Sequence, residues 1–312
     1  MEFEHTSVLN QEVHKYQNLK QGYICADGTL GGSNHALSTI QAILPDGLLI
    51  GIDQDQDAIA HAEQKLAAYR DNVRLFHRNF SDLPQILTEC HITGVDSILL
   101  DLGFSLNQIT RSQRGFSFQK DEPLDMRMDT RNPLTAHEVV NCYTETQLAD
   151  IIFQYGEERY ARRIAAVLVK ARIKAPIQTS RELARLTVKA IPASATAKQK
   201  IHPATRTFQA LRIEVNRELE RLEAFVNKVP DMLNTGGRIS IISFHSLEDR
   251  IVKQRLRAFE NGCSCPKGLP QCLCGFVPSM KLVTRKPIIA SDEEITANPM
   301  ARSAKLRVAE KL

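Results

Sequence analysis

Apolar positions in the first hundred residues follow two alternating rhythms. Short unbroken runs, "YICADGT" (23–29), "GLLIGID" (47–53), "VRLFH" (73–77) and "DSILLDLG" (96–103), close on an acid, a glycine turn or a histidine. These read as strands buried on both faces. Between them apolar residues recur every three or four positions. "SNHALSTIQAIL" (33–44) places Leu37, Ile40 and Leu44 on one face, and "DAIAHAEQKLAAY" (57–69) does the same with Ile59, Ala62, Leu66 and Tyr69. Both read as helices, the second capped by Asp57. Strands alternating with helices predict a parallel sheet covered on both faces.

The rhythm breaks near residue 108. From there to 205 the chain is polar and then helical, with no strand pattern. It then resumes. "TFQALRIEVNRELERLEAFV" (207–226) reads as one long amphipathic helix, "GRISIISFH" (237–245) as a strand, "EDRIVKQRLRAF" (248–259) as a helix and "AKLRVAE" (304–310) as a terminal strand. The expected organisation is an α/β domain in two parts, 1–107 and 206–312, interrupted by a helical insertion over 108–205.

Composition narrows the class. Hydrophobic residues are 43% and charged residues 24% of the 312, a soluble globular balance. No apolar run reaches bilayer length. The polar start, "MEFEHTSVLNQEV", has no secretory h-region, so a cytoplasmic protein with no membrane partner is expected. Of seven cysteines, Cys25, Cys90 and Cys142 are scattered and the rest cluster late, which argues against a disulfide scaffold.

The net charge of +4 is small, but it is unevenly spread. "RYARRIAAVLVKARIK" (159–174) holds Arg159, Arg162, Arg163, Lys170, Arg172 and Lys174 and no acid. Such a helix either meets phosphates or presents a solvated face.

Ligands of open parallel sheets bind beyond the carboxyl ends of the strands. After the first strand, "CADGTLGGSNHA" (25–36) has glycines at 28, 31 and 32. These fit neither the dinucleotide spacing nor the phosphate loop with its lysine. Asp53, ending the second strand, can accept hydrogen bonds from both ribose hydroxyls. Asp55 competes for that role but lies in the following loop. Turn and acid together favour a nucleoside without phosphate, and S-adenosylmethionine is one. By itself the turn is also an ordinary strand-to-helix connection. Phe80 either flanks an adenine or belongs to the core. Asp101 ends the fourth strand, where a buried acid without a task is costly.

Longer stretches carry more. "EHTSVL" (4–9), "LLDLGFSLNQ" (99–108), "RGFSFQKDEPLDMRMD" (114–129), "YGEERYARRIA" (155–165), "HPATRTFQALRIEVNREL" (202–219), "GGRISIISFHSLEDRIVK" (236–253) and "NPMARSAKLRVAE" (298–310) span nearly the whole chain. Together they closely resemble the RsmH (MraW) family of bacterial ribosomal RNA cytosine-N(4) methyltransferases. The resemblance implies a class I S-adenosylmethionine-dependent methyltransferase, a Rossmann-like sheet with an inserted helical domain. It implies as substrate a cytidine of 16S ribosomal RNA in the P-site decoding centre of the small ribosomal subunit. It implies cofactor contacts at Ser33, Asn34, His35, Asp53, Phe80, Asp101 and Gln108. Two loops depart from the family: Ser33-Asn34 replace glycines, and "SLNQI" (105–109) stands where "SSPQL" is usual.

Methyl transfer chiefly needs alignment of nucleophile and methyl group. The cytosine amine is a poor nucleophile, so an acceptor for its N–H is expected. Amino methyltransferases often place D/N-P-P-F/Y after the fourth strand. Here Asp101-Leu102-Gly103-Phe104-Ser105 has the acid and the aromatic but no prolines. Asp101 is the candidate acceptor. His245 is a second catalytic candidate, at a strand end; Ser246 and Asp249 suit a helix cap. On the helix at 205–216, Thr205, Gln209, Arg212 and Asn216 share a polar stripe that lines an RNA cleft or faces water. Asp125, Arg127 and Asp129 suit an ion-pair network or a substrate contact. Arg159, Arg162, Arg163, Arg212 and Asn216 are the candidate RNA residues, since an unstacked base is held by stacking and phosphate contacts.

"CSCPKGLPQCLC" places Cys263, Cys265, Cys272 and Cys274 as two C-x-C pairs. Four thiolates could enclose a structural zinc; a reduced surface loop is the alternative. A dehydrogenase is disfavoured by the missing dinucleotide fingerprint. A scaffold protein that keeps the fold without the activity would bind no S-adenosylmethionine.

Overall fold

The computed structural model describes residues 7–103, 112–196, 201–263, 265 and 273–312. Two compact units divide the chain: Met1–Gly103 with Leu219–Leu312, and Phe104–Glu218. The second unit therefore includes 206–218, a stretch that the sequence pattern assigned to the sheet domain.

The first unit is built on strands β1 (Ile24–Asp27), β2 (Leu48–Asp53), β3 (Val73–His77), β4 (Val95–Asp101), β5 (Leu233–Ser243), β6 (Met280–Leu282) and β7 (Lys305–Lys311). They form one sheet in the order β3-β2-β1-β4-β5-β7-β6. The five strands from β3 to β5 pair parallel, and β7 runs antiparallel between β5 and β6. The short β6 carries no readable alternation and escapes sequence reading. The direction of β7 is likewise not legible in its pattern, which marks a strand without orienting it. An antiparallel neighbour at the sheet's end needs no crossover helix back to the other edge.

Helices α1 (Asn10–Gln17), α2 (Asn34–Ile43), α3 (Gln56–Lys65) and α4 (Leu83–Glu89) belong to the first half of this unit. Ala36, Ile40 and Ile43 of α2 and Ile59 and Ala62 of α3 are buried beside Leu49 and Leu66. The cap of α3 is Asp55, not Asp57: its side chain accepts from the Asp57 amide at 3.2 Å.

The second unit contains α5 (Ala136–Cys142), α6 (Glu145–Gln154), α7 (Ala161–Arg172), α8 (Ser180–Ala190) and α9 (Thr205–Asn216), with a short helical turn at Ala193–Thr196. Thr135 with Glu138 and Thr144 with Gln147 form capping boxes that start α5 and α6. Ala161, Ile164, Ala165 and Leu168, at helical spacing, turn one face of α7 into a core with Leu148, Ile152, Leu183 and Leu211. Among the described residues this unit has no strand, only an isolated bridge between Pro123 and Thr179.

The long helix expected over 207–226 is two helices. Arg217 adopts φ 52°, ψ 39°, which ends α9. A left-handed residue cannot continue a right-handed helix. Helix α10 (Glu218–Met232) then buries Leu222, Phe225, Val226 and Val229 under the sheet core. Full burial of each such side chain is worth about 1.5–3 kcal/mol. Among the described residues the remaining α-helices are α11 (Ser246–Asn261) and α12 (Asp292–Ala297).

Candidate cofactor site at the carboxyl ends of the strands

The sheet order reverses at β1, with β2 on one side and β4 on the other. That is the switch point where open sheets leave a crevice. Asp27 pairs in register with Gly51 of β2 and Leu99 of β4. Asp53 and Asp101 lie two residues further along, so two acids flank the turn that begins at Gly28.

The turn is stitched to both neighbours. On the β4 side the Gly28 amide donates to Leu99 O (2.9 Å), and Thr29 Oγ accepts from the Asp101 amide (2.6 Å). On the β2 side the Leu30 amide donates to Ile52 O (3.3 Å), and the Gly31 amide donates to Asp53 Oδ2 (2.9 Å). A side chain at Gly28 would collide with Leu100 and lie 2.9 Å from Phe80 Cβ. This close approach, rather than a phosphate, explains that glycine.

Ser33 takes φ 58° and buries its side chain, and α2 starts at Asn34. The first N–H groups of a helix have no intrahelical acceptor, which favours a negative group there. Lys65, on α3, donates to Gly32 O at 2.9 Å and to Asn34 Oδ1. The Asn34 side chain is thus held by Lys65. His35 is buried, with Nε2 3.9 Å from Asp101 Oδ2.

Burial is the first cause of three raised carboxyl pKa values. Asp53 is pushed up to about 6, against hydrogen bonds from the Gly31 and Asp55 amides that pull it down. Asp101 is pushed up to about 7, with the charge of Glu248 adding to burial. Asp27 is raised well above the carboxylate range, and the charges of Asp101 and Asp53 add to burial. Asp27 Oδ2, Asp101 Oδ1 and Ser33 Oγ are buried without a hydrogen-bond partner among the described residues. Acids crowded in this way are relieved by a cation or by donated hydrogen bonds. These acceptor groups fit a ligand that brings hydroxyl donors and positive charge, as S-adenosylmethionine does.

Phe80 lies in a helical turn after β3 and meets Phe225 edge-to-face, centroids 5.3 Å apart at 85°. It is a buried core ring. Gln108 lies outside the described residues, as does Cys272.

His245 caps α11, one residue before the expected Ser246. Its Nδ1 accepts from the Glu248 amide at 3.4 Å, while Glu248 Oε2 accepts from the Phe244 and His245 amides. Asp249 is not part of the cap; it pairs with Arg307 at 2.7 Å.

In the second unit Arg159, Arg162 and Arg163 are exposed, and Arg159 lies over the Tyr160 ring at 4.7 Å. Arg172 instead donates to Val140 O at 2.7 Å. On the polar stripe of α9, Thr205 and Gln209 are half-buried, but Arg212 and Asn216 are buried and face neither RNA nor water. Arg212 is 6% exposed and pairs with Glu218 at 2.7 Å. Asn216 is 3% exposed, accepts from the Met128 amide and donates to Met126 O and Arg212 O. The loop at 126–128, distant in sequence, covers Asn216, so its amide meets backbone rather than water. Asp125 and Arg127 form an ion pair at 2.8 Å, and Asp129 pairs with Arg131.

Sequence reading undervalued Asp27, Thr29 and Lys65. Asp27 carried a signal, an acid ending an apolar run. Thr29 and Lys65 carried none, because their partners come from other strands and helices.

The sheet order with its single reversed strand is that of the class I S-adenosylmethionine-dependent methyltransferases, and this is the class of protein the fold defines. The chain belongs to the MraW methylase family, whose description matches residues 2–312. It is 58% identical over 309 residues to Ribosomal RNA small subunit methyltransferase H of Desulforapulum autotrophicum, across 99% of each chain. The protein of the same name from Desulfosudis oleivorans is 51% identical over 312 residues, across 100% of each chain.

Proposed function

We propose that this enzyme transfers a methyl group from S-adenosylmethionine to the N(4) amine of a cytidine in the P-site decoding centre of 16S ribosomal RNA, within the small ribosomal subunit in the cytoplasm. The observation that carries the reading is full-length identity of 58% to a ribosomal RNA small subunit methyltransferase H. The cytidine and its position rest on the motif resemblance.

When bound, S-adenosylmethionine supplies an electrophilic methyl group on a sulfonium. Asp53 accepts the ribose hydroxyls, and its bond to Gly31 sets the turn to the height of that acid. Asp27 faces the cationic end, where a positive charge favours its ionised form. The start of α2, at Ser33, Asn34 and His35, receives the carboxylate of the methionine end. The resemblance adds Gln108 to the cofactor contacts, while Phe80, packed on Phe225, backs the turn at Gly28 from the core.

Asp101 accepts a hydrogen bond from the cytosine amine and draws its lone pair out of the ring. One N–H proton must leave as the N–CH3 bond forms, and a carboxylate titrating near 7 is matched to take it. His245 holds the start of α11 through Glu248 and acts on position, not on the proton. A stacked base cannot reach this acid, so the cytidine is bound unstacked. Arg159, Arg162 and Arg163 hold RNA phosphates from the exposed face of the inserted unit. Arg212 and Asn216 support that unit from inside.

The test is incubation with labelled S-adenosylmethionine and small subunits lacking the modification, followed by mapping of the labelled nucleotide. Label on N(4) of a P-site cytidine is expected. Label on another base, or on protein, overturns the reading.

A further inference from the structure

We propose that Cys263, Cys265 and Cys274 form a zinc site that cross-links the loop between α11 and β6. One sulfur from each of the three lies within 4.8 Å of the others. Cys263 Sγ and Cys274 Sγ are 3.6 Å apart. A tetrahedral zinc with Zn–S bonds of about 2.3 Å spaces its sulfurs by roughly 3.8 Å. The pair is thus at metal-sharing distance, well beyond the ~2.05 Å of a disulfide bond.

The surroundings suit thiolates. The Leu273 amide donates to Cys265 Sγ at 3.3 Å. An N–H aimed at sulfur stabilises the ionised ligand and orients it. Gly275, directly after Cys274, takes φ 67°, a turn that favours glycine. The feet of the loop are tied together. The Ser279 amide donates to Phe259 O at 3.0 Å, the Leu282 amide donates to Glu260 Oε1 at 2.8 Å, and a side chain at Gly262 would meet the Phe276 ring at 2.6 Å.

Among the described residues of the loop, Leu273 and Val277 are each 79% exposed and add no apolar anchor. A metal supplies the cross-link that burial does not. Sulfur-only donors select a soft or borderline ion, and zinc adds no redox chemistry. Each thiol releases its proton to solvent as it binds. Cys272, the remaining thiol of the sequence pattern, lies outside the described residues. The role is structural, since the proposed methyl transfer needs no Lewis acid.

The full-length protein is purified under reducing conditions without chelator and analysed by elemental mass spectrometry. One zinc per chain is expected, with loss in the Cys263→Ser/Cys274→Ser variant and retention in Cys142→Ser, whose thiol is exposed outside the cluster. Should the double variant fail to fold, cobalt(II) is added to the metal-depleted wild type. A thiolate-to-cobalt charge-transfer band that zinc displaces supports the site. Three results overturn it: no zinc and no cobalt band in wild type, zinc retained by the double variant, or a Cys263–Cys274 disulfide in the reduced preparation.

Discussion

Asp53 Oδ2 accepts the Gly31 amide at 2.9 Å while Asp53 Oδ1 accepts the Asp55 amide at 2.8 Å. One carboxylate thus ties the glycine turn after β1 to the loop that starts α3. The same side chain is the proposed ribose acceptor, so the turn and the cofactor are positioned by one group.

Replacing Asp53 by Asn keeps the shape but leaves an amide that accepts at one oxygen and opposes a donor at its nitrogen. Losing charge-assisted hydrogen bonds worth about 1.5–3 kcal/mol each should weaken S-adenosylmethionine binding by about two orders of magnitude. Calorimetric titration measures this; an unchanged affinity would remove Asp53 from the site.

Asp101 predicts a pH profile. As an acceptor it must be ionised, and its pKa is near 7 in the folded protein. Below that value kcat/KM should fall about tenfold per pH unit, and above it level off. Asp101→Asn should be slow and flat. Stability runs the other way. The unfolded group titrates near 3.8 and the folded one near 7, so between them the native state keeps a proton that the unfolded chain has released. Its contribution therefore falls as pH rises through that window and is constant above it. Melting temperatures of wild type and Asp101→Asn across pH 4–8 should diverge in slope there, and parallel curves would contradict the raised pKa.

Reversing Arg162 and Arg163 to Glu should weaken binding to small-subunit RNA while leaving S-adenosylmethionine affinity and melting temperature unchanged. Each lost phosphate contact reduces the slope of log K against log salt by about 0.7–0.9. A double variant with the wild-type slope shows that this face is merely solvated.

Asn216→Ala should destabilise the inserted unit by about 2–4 kcal/mol, because Met126 O and the Met128 amide lose their buried partner. Urea denaturation and faster hydrogen exchange at Met128 report it. A loss confined to RNA binding, with stability intact, would return Asn216 to the interface.

The parts of this molecule read correctly from sequence share a cause. Strands β1 to β4 are apolar runs whose period needs no partner to be seen, and the acids ending β2 and β4 stand where such sheets bind ligands. The misreadings share another cause. The α3 cap moved from Asp57 to Asp55, and the α11 cap from Ser246 to His245, because neighbouring polar residues are equivalent until the first helical turn is placed. The helix over 207–226 reads as continuous because arginine is a good helix former; the break at Arg217 stands between Arg212, which pairs with Glu218, and Asn216, which bonds residues 126–128, on one side and α10 on the other.

Local pattern and long motifs thus settled the alternation of strands and helices, the presence of an insertion and the family, since each depends on residues near one another in the chain. Tertiary structure decided the reversed β7, the burial of Arg212 and Asn216, the grip of Lys65 on the turn and the crowding of Asp27 between Asp53 and Asp101. Those features are made by groups that meet only when distant segments pack, and desolvation, which sets the acids' behaviour, exists only after they have done so.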